Sequence, residues 1–126
     1  YRTLGKTGIR LPIVNMGIMN SFNSELIKSS YDIGVRHFDT AHLYQFGQSE
    51  EMLGNAIKEL NVRNKVIIGT KVAIPHYRQK TTFEKAKETF ISMTEKSLER
   101  LKTDYVDILY IHDVTNTEEL NSEKEY

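Results

Sequence analysis

The chain has 126 residues, 39% of them hydrophobic and 27% charged, a composition that fits one folded domain and excludes a disordered segment. Seventeen basic residues balance seventeen acidic ones, so no global field draws the chain to nucleic acid or to an anionic membrane, and an anionic ligand must be held by local groups. Cysteine is absent, which excludes disulfides, thiolate metal sites and thiol nucleophiles and fits a reducing cytoplasm; the apolar runs are strand-sized, too short to cross a membrane.

In chain order, Arg2-Thr3-Leu4 and Ile9-Arg10-Leu11 flank Gly5-Lys6-Thr7-Gly8 and predict a small hairpin. A strand is expected over Ile13–Ile18, then a helix over Ser24–Asp32 with Leu26, Ile27, Ser30 and Ile33 on one side and Gly34 as its stop. Val35–Thr40 predicts the next strand. Ser49–Leu60 predicts a second helix, in which Met52, Leu53, Ala56, Ile57 and Leu60 recur at helical spacing. Val66–Val72 is a β-branched run of the kind buried on both faces. Thr81 and Glu84 form a capping box for a third helix, whose inner face is Phe83, Ala86, Phe90, Thr94, Ser97 and Leu101. Tyr105–His112 predicts a further strand, and Thr115 with Glu118 a further helix start.

Strands alternating with helices imply parallel pairing through right-handed crossovers. A dinucleotide-binding open sheet needs G-x-G-x-x-G after its first strand, but only Gly17 stands there, followed by Ile18-Met19-Asn20. Gly5-Lys6-Thr7 is no P-loop, because no glycine lies five residues upstream. The pattern places a (β/α)8 TIM barrel slightly ahead of the doubly wound sheet.

Four polar side chains fall where the apolar strands end: Asp39, Tyr44 in the loop that follows, Lys71 and His112. The C-terminal ends of parallel strands share one face, so these groups could converge there. Each also has an ordinary reading: Asp39 as a turn or cap device, Tyr44 as packing, Lys71 as a solvated cation, His112 as a satisfied core histidine. Spacing alone leaves the two readings level.

Phe38-Asp39-Thr40-Ala41-His42-Leu43-Tyr44, Gly47-Gln48-Ser49-Glu50 and Leu53-Gly54-Asn55-Ala56 resemble the aldo-keto reductase pattern. Gly69-Thr70-Lys71, Ser97 to Asp107 and Ile111-His112 are similar to later segments of the same family, in the same order. The resemblance implies an α/β barrel of which residues 1–126 are the N-terminal half, a hairpin and the first four βα units. It implies reduction of an aldehyde or ketone with hydride from NADP(H), or alternatively NAD(H), and no metal. Tyr44 would be the general acid, Lys71 the cation that makes the phenol a better acid, Asp39 the partner of Lys71, and His112 the donor that orients the carbonyl. Gly17, Asn20 and Asp39 would meet the cofactor. Met19 stands where the family commonly has glycine, and either lines a substrate pocket or packs into the rim. The expected partners are a small carbonyl compound and, through the open sheet edges, a second copy or a complementary half-barrel. The rival reading is a non-catalytic binding subunit on the same scaffold, or an inactive fragment.

Overall fold

The computed structural model describes residues 1–73 and 82–114, the side chain of Phe83 excepted. Strands β1 (Arg2–Thr3) and β2 (Arg10–Leu11) form the expected antiparallel hairpin, its turn closed by Leu4 N–H donating to Ile9 O at 2.9 Å. Then follow β3 (Met16–Gly17), α1 (Ser24–Asp32), β4 (His37–Asp39), α2 (Gln48–Leu60), β5 (Ile67–Val72), α3 (Phe83–Leu101) and β6 (Ile108–Ile111). The last four strands lie side by side in the order β3-β4-β5-β6, every neighbour parallel. Among the described residues no helix is long and apolar enough to cross a membrane.

The expected strands are present but shorter. Pairing begins only at Met16, and Ile13 and Val14 stand 73% and 65% exposed at an edge with no second neighbour among the described residues. Helix α1 keeps its expected bounds, capped by Asn23 Oδ1 accepting from Glu25 N at 2.9 Å. Its predicted face is half right: Ile27 and Ser30 are buried, while Leu26 and Ile33 face solvent. Thr82, not Thr81, caps α3, its hydroxyl accepting from Lys85 N at 3.3 Å; Thr81 and the Thr115–Glu118 box lie outside the described residues.

Alternation along the strands separates two surfaces. Phe38, Ile68, Thr70 and Val72 face the helices and are fully buried, and Phe38 and Ile68 join Leu53, Ala56, Ile57 and Leu101 in one apolar core. Each large apolar side chain so buried contributes roughly 2 kcal/mol. The other surface carries Asp39, Gly69, Lys71 and Tyr110, since a Cβ at Gly69 would stand 3.2 Å from both Asp39 Oδ1 and Tyr110 Cε2. Strand β5 is therefore sealed on its helix side, whereas on the other side Gly69 is buried but Ile67 and Lys71 are only half-buried, so burial on both faces holds in part. At the opposite strand ends the Arg63 guanidinium stacks on Tyr105 and donates to Asp107 Oδ2 at 2.9 Å, which also accepts from Ile68 N at 2.8 Å.

Candidate active site

The register β4–β5 pairs Asp39 with Gly69, so Lys71 lies one pleat beyond on the same surface. Its ammonium donates to Asp39 Oδ2 at 2.5 Å and to Thr40 O at 2.6 Å. The two side chains keep 16% and 21% exposure, so the pair is partly shielded from water, where a charge-assisted bond is strong and its rupture costly. The same ammonium stands 4.8 Å from the centre of the Tyr44 ring and 5.9 Å from that of Tyr110. Tyr44 meets His112 edge to face, with ring centres 5.6 Å apart. All four residues singled out in the sequence thus come together at the C-terminal ends of β4, β5 and β6. Two of the three Lys71 N–H groups are committed to Asp39 and Thr40, and the ammonium lies beside the Tyr44 ring with no hydrogen bond to its hydroxyl among those of the described residues.

His112 is held by its backbone N–H donating to Val72 O at 2.9 Å. Its Nε2 stands 3.8 Å from Asp113 Oδ1, and its Nδ1 is buried with no hydrogen-bond partner among the described residues. Gly17 pairs with Asp39 across β3–β4, and nothing lies within 4 Å of the place a Cβ would occupy. Asn20 is exposed in the turn after β3. Met19 is half-exposed and its carbonyl accepts from Gln45 Nε2 at 2.8 Å. No group of three or more potential metal ligands occurs among the described residues.

Sequence reasoning missed a second polar cluster beneath the loop that carries Tyr44. Glu50 is fully buried: its Oε1 accepts from Thr70 Oγ1 at 2.5 Å and its Oε2 from Arg100 Nε at 2.7 Å. Arg100 Nη2 also donates to His42 Nδ1 at 2.7 Å; arginine can only donate, so Nδ1 accepts and the His42 proton sits on Nε2. Burial, aided by the Arg100 charge, pushes the His42 pKa below its ordinary value, and burial does the same to His37. Thr40 Oγ1 and Ser49 Oγ, 2.9 Å apart, complete the layer. At Gly47 a Cβ would stand 2.9 Å from Arg100 Cδ, so the glycine lets that side chain pass. The Gly47-Gln48-Ser49-Glu50 segment is therefore a support for the loop. The signal was there: Glu50 shares a helical stripe with Leu53 and Ile57, and Arg100 flanks buried Ser97 and Leu101, one charge of each sign on facing helices.

The described residues thus form a four-stranded parallel βα array with an Asp–Lys pair, a tyrosine and a histidine at its strand ends. The profile of the aldo/keto reductase family matches residues 9–123, and the chain belongs to that family. Over 123 residues it is 32% identical to the aldo-keto reductase YhdN of Bacillus subtilis and, over the same number, 33% identical to a probable voltage-gated potassium channel subunit beta of Arabidopsis thaliana; each match covers 89% of this chain and 37% of the relative. A thermostable aldo-keto reductase solved with the inhibitor epalrestat superposes with TM-score 0.77 at 31% identity, over 99% of this chain and 48% of that one. An aldo-keto reductase of Klebsiella pneumoniae solved with NADPH does so with TM-score 0.65 at 25% identity, over 91% and 41%. The βα units thus match part of the family's barrel, and the chain spans less than half the length of these relatives.

Proposed function

We propose that the chain is the N-terminal half of a single barrel domain that reduces an aldehyde or ketone to an alcohol with NADPH, or alternatively NADH. The observation that carries this is the Lys71 ammonium clamped by Asp39 beside the Tyr44 ring, with His112 against the ring edge. A solvated lysine or a packing tyrosine needs no such arrangement.

The open space over Gly17, on the surface that carries Asp39, suits the approach of a flat ring, and Gly17, Asn20 and Asp39 are the groups of this chain that would meet it. Bound nicotinamide supplies the hydride to the carbonyl carbon. Tyr44 gives its phenolic proton to the carbonyl oxygen. Lys71, unable to leave Asp39 and Thr40, keeps a positive charge beside the phenol and favours the negative charge left on its oxygen. His112 donates a hydrogen bond to the carbonyl oxygen, orienting it and stabilising developing charge. The edges β3 and β6 pair with further strands, from a complementary half-barrel or a second copy.

The test is Tyr44→Phe in a protein whose barrel is complete. Removing the proton donor but little binding surface should lower kcat at least a hundredfold and leave NADPH affinity within about twofold. Near-normal turnover in this variant would refute the general-acid role. It would favour the second reading, a partner-binding subunit, which the similarity to the potassium channel subunit supports.

A further inference from the structure

The loop from Ile18 to Asn23, between β3 and α1, is anchored at its start by Ile18, fully buried in the apolar core, but beyond it Met19, Asn20, Phe22 and Asn23 are exposed. Three of its carbonyls are taken by two side chains that follow Tyr44 in the chain. Ser49 Oγ donates to Ile18 O at 3.1 Å. Gln45 Nε2 donates to Met19 O and to Ser21 O, each at 2.8 Å, so both protons of one amide group are used on the same loop. Gln45 reaches them from a left-handed backbone (φ 52°, ψ 39°), a conformation that a glutamine seldom adopts, and Phe46 beside it has φ 56° and a fully exposed ring. Strain that adjacent hydrogen bonds hold in place is a pointer to function.

We infer that Gln45 is a positioning residue whose carboxamide fixes the β3–α1 loop, with Gly17 before it and Asn20 within it, against the loop that carries Tyr44. Cofactor side and proton donor are thereby set in one register. This rests on the reductase reading above. The geometry also explains how the loop is held beyond Ile18 without a second apolar anchor, and why Met19 is tolerated: its backbone carbonyl, not its side chain, is the point of attachment.

The test uses two variants of the barrel-complete protein. Gln45→Asn favours the left-handed backbone but is one methylene too short to reach both carbonyls; Gln45→Glu keeps the length and removes both amide protons. Amide hydrogen exchange is read at residues 19–23, together with NADPH affinity by fluorescence titration and kcat at saturating NADPH. Loss of two hydrogen bonds should speed exchange at 19–23 about tenfold, weaken NADPH binding about tenfold and lower kcat about tenfold, with exchange in α2 and α3 unchanged. Unchanged exchange would overturn the brace, and faster exchange with unchanged NADPH affinity would overturn its positioning role. A parent protein that binds NADPH yet reduces no carbonyl would sink the reductase reading alone, because exchange and affinity still decide the role of Gln45.

Discussion

Gly54→Ala separates local helix preference from tertiary contact, because the two predict opposite signs. Gly54 lies in the middle of α2, where alanine is favoured over glycine by about 1 kcal/mol. In the folded chain, however, a Cβ there would stand 2.5 Å from Arg100 O and 2.7 Å from Leu101 C and O. These are backbone atoms, so no rotamer change relieves the overlap, and α2 and α3 must move apart by about 0.9 Å to regain ordinary contact. Such a shift loosens Leu53, Ile57 and Leu101 and stretches the Glu50–Arg100 bonds. Because the overlap is with backbone, overpacking here falls at the upper end of its usual range, about 3 kcal/mol, so a net loss of about 2 kcal/mol is expected after the helix gain is subtracted. Urea unfolding followed by far-UV circular dichroism should show a midpoint lower by about 1 M. Lys58→Ala, at an exposed position of the same helix, should change stability by less than about 0.5 kcal/mol. A raised midpoint for Gly54→Ala would refute the close approach of the two helices.

Arg100→Met leaves the fully buried Glu50 carboxylate without its cation and should cost about 3–5 kcal/mol in the same assay, with Glu50→Gln/Arg100→Met recovering part of the loss. His37 and His42 both have pKa values lowered by burial, so the unfolded chain binds protons first: stability is whole above the ordinary value of 6.5 and is lost as pH falls below it through the lowered folded values. A pH series of melting temperatures checks this, and a flat profile between pH 7 and 5 would contradict it. Sedimentation of the 126-residue chain should reveal species heavier than a monomer, since β3 and β6 are the sheet's edges among the described residues and Ile13 and Val14 are exposed beside the first of them. A monodisperse monomer that quenches NADPH fluorescence at micromolar concentration would overturn the need for further strands.

The helices were the most legible part of the fold. Met52, Leu53, Ala56, Ile57 and Leu60 recur at helical spacing, and all five meet the core. Strand lengths were not legible, because pairing requires a neighbour: Ile13 and Val14 have strand-like side chains but no strand beside them among the described residues. For the site, the ends of apolar runs marked Asp39, Lys71 and His112, and parallel pairing brought them together as expected. What spacing could not give is which atoms touch. The second acceptor of the Lys71 ammonium is Thr40 O, and a backbone carbonyl leaves no mark in a sequence. Glu50 and Arg100 escaped for a related reason: charged residues are assigned to solvent by default, and only the facing stripe on another helix shows that they are buried together.

The polar layer beneath Tyr44 bears on how mutational data for this chain should be interpreted. On the reductase reading proposed above, a substitution at Glu50, Ser49 or Gly47 would silence turnover without coming near a reacting atom, simply by letting the loop above sag. A selection scored on activity alone would count Glu50 among the chemical groups. Scoring each variant twice, for turnover and for resistance to urea, would separate foundations from machinery: Tyr44 variants should lose only the first, Glu50 variants both.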